Sequence, residues 1–292
     1  MNIKVLLAAC ATALAGLLST PAAFAQSSDA QACASCHQAA VESFSKTKHG
    51  VKGDAKTPAG KGKDCLSCHT DAGAHLKDPS KKPATFAKSA SAATKDAACQ
   101  SCHKGGHLIQ WDGSAHQRND VACVDCHKSH SAKDQVLVKQ TQAGVCYDCH
   151  KDVRADTMKM SGHPLKTGQM SCSSCHAPHG SASKGQLKEM TTNDTCYMCH
   201  ADKRGPFLQE HPPVADDCVT CHKPHGSNFK PMLESRQPFL CQSCHQGTHG
   251  RTFYSADQII NKADTHAIGS GCTNCHSKVH GSNSSKGRDF FR

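Results

Sequence analysis

Residues 172–180 read CSSCHAPHG, and the first five letters are one copy of Cys-x-x-Cys-His, a motif that occurs ten times in the 292-residue chain. The ten copies use all of the 21 cysteines except Cys10. In order they are Cys33/Cys36/His37, Cys65/Cys68/His69, Cys99/Cys102/His103, Cys123/Cys126/His127, Cys146/Cys149/His150, Cys172/Cys175/His176, Cys196/Cys199/His200, Cys218/Cys221/His222, Cys241/Cys244/His245 and Cys272/Cys275/His276. With 22 histidines and one tryptophan, the composition is far from that of an ordinary globular domain.

The motif is the attachment signature of c-type haem. Its two thiols form thioether bonds to one haem, and the histidine that follows supplies the proximal imidazole to iron. Structural zinc also uses Cys-x-x-Cys pairs, but zinc gives no reason for a histidine after every pair. The sequence therefore predicts ten covalently bound haem c groups, held by the cysteines and ligated by the histidines of the ten motifs.

Twelve further histidines lie outside the motifs, which is enough to give every iron a second imidazole. The chain divides into five units, each with an odd-numbered motif, a spacer histidine, an even-numbered motif and a trailing histidine. The spacer histidines are His49, His116, His163, His211 and His266, and the trailing ones are His75, His130, His179, His225 and His280. His107 and His249 are then surplus.

A trailing histidine cannot ligate the haem beside it, because the two axial imidazoles approach iron from opposite faces of the ring. It must reach another haem, so shared peptide segments are expected to hold successive haems together. The predicted fold class is a multihaem cytochrome c: mostly irregular, with short α-helices, little or no β-structure and an elongated, haem-scaffolded shape. Short helices are expected after odd motifs, over residues 147–160 and 197–209, and glycines after candidate ligands, such as Gly180 and Gly226, are expected to allow close backbone approach.

The N-terminus predicts export. Lys4 precedes an apolar run, and Ala23-Phe24-Ala25 is a small-residue cleavage signature, so residues 1–25 are interpreted as a signal peptide. A lipidated Cys10 is the alternative, although this cysteine falls early in the apolar run. No later stretch approaches the roughly 18 apolar residues of a spanning helix. The predicted location is the periplasm.

The charge does not favour nucleic acid as a partner. The formal charge is +10, and removing Lys4 with the signal leaves +9. Two propionates per haem add about −20 and ten ferric bis-histidine centres about +10, which leaves the oxidised protein near neutral. The sequence therefore indicates no nucleic-acid binding.

Two segments resemble the MtrA/MtoA/PioA/DmsE family of periplasmic decahaem cytochromes: WDGSAH at 111–116 and NCHSKVHGSN at 274–283. The resemblance implies bis-histidine haems and two pentahaem halves, which would cover residues 26–160 and 161–292. It also implies an electron conduit, placed within or against an outer-membrane β-barrel porin. The implied partners are inner-membrane or periplasmic cytochromes, an outer-surface multihaem cytochrome or extracellular metal. The family pattern favours His249 as the distal ligand after the ninth motif and leaves His107 and His266 unassigned.

Two other functions use similar chemistry. A soluble periplasmic shuttle or reservoir would need the same haems without a barrel. A multihaem reductase would need an open iron position, but all ten motifs end in histidine and enough other histidines exist to close each site. The sequence therefore predicts an electron carrier rather than an enzyme, with no catalytic residues.

Overall fold

The computed structural model describes residues 29–245, 270–285 and 290, so the predicted signal peptide, His249 and His266 lie outside the described residues. In these segments short α-helices alternate with single 3-10 turns and irregular chain. Pairing between extended residues in the described part is limited to four isolated antiparallel bridges. The α-helices are α1 Asp29–Ser45, α2 Gly73–Lys77, α3 Ala92–Gln100, α4 Ala115–Arg118, α5 Cys123–Cys126, α6 Lys139–Tyr147, α7 Lys151–Thr157, α8 Thr192–Tyr197, α9 Pro212–Asp216 and α10 Phe239–Gln242. The predicted fold class, mostly irregular with short helices and little β-structure, is confirmed.

Buried apolar side chains are few and small. Five of the seven buried apolar residues in the described chain are alanines, and the other two are Trp111 and Leu233. The indole Nε1 of Trp111 donates to the buried Asp96 carboxylate at 3.2 Å. A domain of this length ordinarily buries a core of large aliphatic side chains. The described part of the chain therefore buries few large apolar side chains of its own.

Five of the helices contain the first cysteine of an odd-numbered motif. Helix α1 contains the whole first motif and is kinked at His37, and α3, α6, α8 and α10 contain the first cysteines of the third, fifth, seventh and ninth motifs. Two of them begin at side-chain caps, because Ser91 accepts from the Thr94 amide and Thr191 accepts from the Asp194 amide. These helices carry the first cysteine of each odd motif into the site.

The prediction of helices after the odd motifs is only partly correct. Helix α7 lies within the expected range 147–160. Over the expected range 197–209 the chain forms only a 3-10 turn, Ala201–Lys203, so that prediction is wrong. The reason is local: Gly205 has a φ of 78° and precedes Pro206, and neither feature continues a helix.

Glycine allows close backbone approach after three of the trailing histidines. Gly180, Gly226 and Gly281 have φ values of 114°, 141° and 137°. A Cβ atom on Gly226 would overlap the Asp156 carbonyl oxygen, and one on Gly180 would overlap the Gln110 carbonyl oxygen. The expected role of these glycines is therefore confirmed at both positions.

None of the helices in the described segments has the length and apolar character to cross a lipid bilayer.

Candidate haem-binding sites

One turn of chain presents all three functional side chains of a motif. In each motif from the second to the tenth, the histidine amide donates to the carbonyl of the first cysteine, with N–O distances of 2.8 to 3.1 Å. The first motif lies in helix α1, whose hydrogen bonds have the same spacing. Residues four apart on such a turn lie on one face. The two thiols and the imidazole can therefore serve a single ring.

The predicted attachment cysteines are not equally covered by the polypeptide. The first cysteine of every motif is half-buried, and so are the second cysteines of the second, fourth, sixth and eighth motifs. The remaining six second cysteines are exposed: Cys36, Cys102, Cys149, Cys199, Cys244 and Cys275. The sequence pattern treats all twenty cysteines alike and did not predict this difference. The polypeptide thus leaves the second cysteine of every odd motif, and of the tenth, open to solvent.

A polar side chain joins the two motifs of every unit, and we call these five side chains the clamp residues. Each stands three or four residues before the first cysteine of an odd motif and accepts a hydrogen bond from a backbone amide at the start of the following even motif. The pairs are Asp29 with Leu66 at 2.5 Å, Asp96 with Cys123 at 2.7 Å, Gln142 with Ser173 at 2.9 Å, Asn193 with Cys218 at 2.7 Å and Gln237 with Thr273 at 3.2 Å.

The sequence-based predictions missed the clamp residues. The signal was present, since an Asp, Asn or Gln precedes every odd motif at nearly constant spacing. Asp96 and Asn193, three residues before their motifs, accept from the first cysteine of the even motif itself. Asp29, Gln142 and Gln237, four residues before, accept from the residue after that cysteine. A shift of one residue in the clamp is thus matched by a shift of one residue in its donor.

The clamps bring the first cysteines of the two motifs close together. In all five units one of these thiols shifts the pKa of the other: Cys33 and Cys65, Cys99 and Cys123, Cys146 and Cys172, Cys196 and Cys218, and Cys241 and Cys272. Burial and the Cys33 thiol raise the pKa of Cys65 to about 12, while the Cys146 thiol lowers the pKa of Cys172 to about 7. Because these thiols are the predicted attachment points, the thioether ends of two haems would lie close together within each unit.

Cysteines of neighbouring units also affect one another. Burial raises the pKa of Cys68, the second cysteine of an even motif, and Cys99 and Cys102 of the next odd motif add to the shift. The pKa of Cys126 is raised in part by Cys149, that of Cys175 by Cys196 and Cys199, and that of Cys221 by Cys244. These even motifs and the odd motifs that follow them are therefore close in space.

Nine motif histidines each face a histidine from outside the motifs. The pairs and their ring-centroid separations are His37 with His75 at 6.0 Å, His69 with His130 at 6.3 Å, His103 with His49 at 6.0 Å, His127 with His179 at 6.0 Å, His150 with His116 at 6.1 Å, His176 with His225 at 6.0 Å, His200 with His163 at 6.3 Å, His222 with His280 at 6.2 Å and His245 with His211 at 5.9 Å.

These separations fit an iron between two imidazoles. Bonds of about 2.0–2.1 Å from a metal to each imidazole nitrogen, in a linear arrangement, put the two ring centroids roughly 6 Å apart. All nine pairs lie between 5.9 and 6.3 Å. Aromatic rings that pack directly against each other have centroid separations spread over a wider range, about 4.5–7 Å. The narrow spread of these distances, and the predicted attachment cysteines beside each pair, fit a bound haem.

The tenth motif histidine, His276, differs from the other nine in what the structure describes around it. Its amide donates to the Cys272 carbonyl at 2.9 Å, so the motif forms the same turn as the others. Both candidates for the histidine facing it, His249 and His266, lie outside the described residues. The role of His276 as a proximal ligand thus has local support from its turn, while the identity of its distal partner stays a prediction.

The paired histidines come from different motifs, and their order is regular. The spacer histidine of each of the first four units faces the odd-motif histidine of the next unit, as His116 faces His150. The trailing histidine of each later unit faces the even-motif histidine of the preceding unit, as His179 faces His127. The exception is the first unit, where His75 faces His37 of its own unit. The units are therefore interleaved along the described chain.

Backbone carbonyls orient two of the spacer histidines. His116 Nδ1 lies 2.8 Å from the Pro178 carbonyl oxygen, and His163 Nδ1 lies 2.9 Å from that of Pro224. Each of these prolines precedes a trailing histidine of the next unit. An antiparallel bridge between Ser161 and Ser227 fixes the second of these crossings. Holding Nδ1 in this way leaves Nε2 to bind a metal and sets the ring orientation.

The environment keeps several of these imidazoles neutral. Burial, together with the neighbouring rings of His107 and His127, lowers the pKa of His179 to about 4. Burial is also the main cause of the lowered pKa of His49 and of His225. A neutral imidazole has the free lone pair that metal binding requires. These rings are thus in the ligating form at neutral pH.

His107 has a different position from the other candidates. Its ring faces His179 at 5.0 Å, which is shorter than an imidazole–metal–imidazole arrangement requires. His179 is itself paired with His127. The structure therefore places His107 behind a candidate distal ligand rather than opposite a motif histidine.

Comparisons with known proteins match the repeated motif of this chain. The family model for the doubled CXXCH motif matches residues 116–155, 163–205 and 211–250, and the model for cytochrome c554 and c-prime matches residues 32–106. The chain is 44% identical over 267 residues to the multiheme cytochrome MtrA of Shewanella baltica, covering 89% of this chain and 80% of that protein. The chain belongs to the MtrA family of multihaem c-type cytochromes. This identifies it as a multihaem electron-transfer protein.

Two more distant relatives share parts of the pattern. The cytochrome c-type protein NrfB of Escherichia coli is 28% identical over 158 residues, which cover 49% of this chain and 81% of that protein. The high-molecular-weight cytochrome c of Nitratidesulfovibrio vulgaris is 26% identical over 246 residues, which cover 81% of this chain and 36% of that protein. The chain thus shares sequence with c-type cytochromes of different lengths.

Proposed function

We propose that the chain binds ten haem c groups, each closed by two histidines, and acts as a molecular wire in an outer-membrane conduit. The observation that carries this proposal is that nine motif histidines each face a second imidazole at the separation of an imidazole–metal–imidazole site. The clamp hydrogen bonds, in addition, join the two motifs of each unit.

The proposed proximal ligands are the ten motif histidines, His276 included. The proposed distal ligands in the described chain are His49, His75, His116, His130, His163, His179, His211, His225 and His280, paired as their rings face each other. His249, outside the described residues, remains the predicted tenth. When bound, haem iron alternates between the ferric and ferrous states and exchanges electrons with neighbouring irons.

The residues of the chain determine how such a series is spaced. The clamp residues hold the attachment sites of each unit in contact, and the interleaved histidines tie each unit to the next. Two imidazoles per site leave no axial position for a substrate, so the chain would carry electrons without transforming a small molecule. This is the geometry that a continuous conductor requires.

The conduit role rests on the likeness to MtrA together with this continuity. The proposed location is the periplasm, with the protein inserted in a β-barrel porin and residues 1–25 removed on export. Electrons would pass between periplasmic or inner-membrane cytochromes at one end and an outer-surface cytochrome or extracellular metal at the other. Residues 26–160 and 161–292 are the proposed pentahaem halves.

The haem count and ligation can be tested on the purified protein. Its mass should exceed that of the processed chain by ten haems, and its spectra should be low-spin in both redox states. Carbon monoxide should not bind the reduced protein, because no axial site is open. A mass indicating fewer haems, or a strong high-spin signal, would contradict the proposed ligation.

The conduit role needs a separate test that distinguishes it from a soluble shuttle. The protein should co-purify with a β-barrel. Liposomes that contain both proteins should transfer electrons from a donor on one side of the bilayer to an acceptor on the other side. Liposomes with the barrel alone are the control. Equal rates with and without the cytochrome would rule out the conduit and leave a shuttle or reservoir as the function.

A further inference from the structure

The fourth motif differs from its counterparts in what holds its histidine. His127 Nδ1 lies 2.7 Å from Asp134 Oδ2. At the sixth and eighth motifs the same nitrogen of His176 and His222 faces backbone carbonyls, those of Gly185 at 2.8 Å and Pro231 at 3.0 Å. All three imidazoles are anchored at the same atom by a residue seven to nine positions later. Only the fourth among these three is anchored by a carboxylate.

Asp134 is fixed in place for this contact. Its side chain is 14% exposed, against 36% for His127. Its other oxygen, Oδ1, accepts from the Lys128 amide at 3.3 Å. Asp134 stands just before the 3-10 turn Gln135–Leu137 but does not cap it with its side chain. The carboxylate is therefore directed at His127 rather than at the backbone of the turn that follows.

Other nearby charges are engaged elsewhere. The Lys128 ammonium donates to the backbone carbonyls of Val124 and Asp125. The Asp125 carboxylate accepts from the Ala122 amide at 2.8 Å. Asp134 is thus the charged group that contacts the imidazole.

A carboxylate and a carbonyl act differently on a metal-bound imidazole. If Nε2 of His127 binds iron, Nδ1 carries the proton and donates a hydrogen bond to the Asp134 carboxylate. A charged acceptor makes a stronger hydrogen bond than a carbonyl and draws the ring towards imidazolate. The ring becomes a stronger electron donor, which stabilises ferric over ferrous iron. The expected consequence is a lower potential.

We propose that Asp134 is a positioning residue that lowers the potential of the fourth haem below those of the sixth and eighth. The inference rests on the proposed ligation of that haem by His127 and His179. The fourth haem would then be harder to reduce than it would be without this carboxylate, and one side chain would set this difference. Replacing the charge while keeping the shape should raise the potential of this haem and leave the other nine unchanged.

The experiment uses the holoprotein and first isolates the fourth haem from the overlapping titration. His179→Met should raise its potential and separate one component of ten, because methionine favours ferrous iron relative to histidine. In this background Asp134→Asn should move the separated component further positive, and Asp134→Glu should move it back towards the parent. Asp152→Asn, which removes an exposed carboxylate from α7 outside the motifs, is the matched control and should leave that component unchanged.

The outcomes separate this inference from the proposed function. If the isolated component does not move in D134N while ten haems and a low-spin spectrum are retained, the role of Asp134 is overturned and the ligation stands. If H179M shifts no component, the proposed ligation fails and this inference fails with it. Should D134N not mature, Asp134→Ser provides a neutral acceptor with the same readout. An equal shift in D152N would also overturn it, since the shift would then come from the change in net charge rather than from the contact with His127.

Discussion

Replacing Asp96 by alanine should loosen the second unit locally. Asp96 is 3% exposed and accepts two hydrogen bonds, from the Cys123 amide at 2.7 Å and from the Trp111 indole at 3.2 Å. A hydrogen bond to a charged group contributes about 1.5–3 kcal/mol. Removing the carboxylate also relieves part of its desolvation cost. We therefore expect a net loss of about 2–4 kcal/mol in the local opening free energy.

The chain contains its own model for a milder change. Asn193 occupies the clamp position of the fourth unit and accepts from the Cys218 amide at the same 2.7 Å distance. Asp96→Asn should therefore keep an acceptor for the Cys123 amide but lose the acceptor for the Trp111 indole, so it should cost about 1 kcal/mol, the net value of one neutral hydrogen bond. Asp112→Ala is the control, because Asp112 is exposed and adjacent to Trp111.

Amide hydrogen exchange of residues 119–127, followed by mass spectrometry on the holoprotein, measures this opening directly. A loss of about 2–4 kcal/mol corresponds to roughly 30- to 900-fold faster exchange at Cys123. D96N should show a few-fold increase and D112A none. Exchange in D96A at the wild-type rate would refute the clamp as a stabilising contact. Equal acceleration in D96A and D112A would show that loss of charge, not loss of the acceptor, is the cause.

Three further results are expected. Gly226→Ala should destabilise the protein by about 1–3 kcal/mol, because φ is 141° there and a Cβ would meet the Asp156 carbonyl. Thermal unfolding measures this loss, with Gly144→Ala in α6 as a tolerated control. An unchanged melting temperature for Gly226→Ala would contradict the expectation. His107→Ala should keep ten haems and a low-spin spectrum, since His107 faces His179 rather than a motif histidine, and a high-spin signal would show otherwise. His130→Met should raise one haem potential, because His130 faces His69, and an unmoved redox titration would reject that pairing.

The sequence predicts what depends on local spacing. Each Cys-x-x-Cys-His motif is contained in one turn, so its three side chains meet wherever that turn lies in the fold. The glycine after a trailing histidine is also a local signal, and Gly226 indeed has a backbone conformation that other residues rarely adopt. Fold class follows from the same density of motifs, because so many attachment sites leave little chain for long helices or strands.

The contacts between units could not be predicted from spacing. His116 and His150 belong to different units, and the crossing that orients His116 uses the Pro178 carbonyl, 62 residues later. Nor does spacing distinguish an exposed second cysteine such as Cys199 from a half-buried one such as Cys175, because their coverage depends on which other unit packs beside the motif. The expected helix over residues 197–209 failed because the break at Gly205-Pro206 outweighs the helical pattern before it.

The first unit departs from the interleaved order, because its trailing histidine His75 faces His37 of the same unit. For the tenth motif, the repeat pattern and the family pattern predict different distal ligands. The repeat pattern favours the spacer histidine His266, whereas the family pattern favours His249.

Alanine variants of these two histidines decide between the alternatives. Only the variant that removes the tenth distal ligand should open an axial site, producing one high-spin haem that binds carbon monoxide. We expect this result for His249→Ala and a low-spin spectrum for His266→Ala. The opposite result would mean that the repeat pattern predicts the last distal ligand better than the family pattern does.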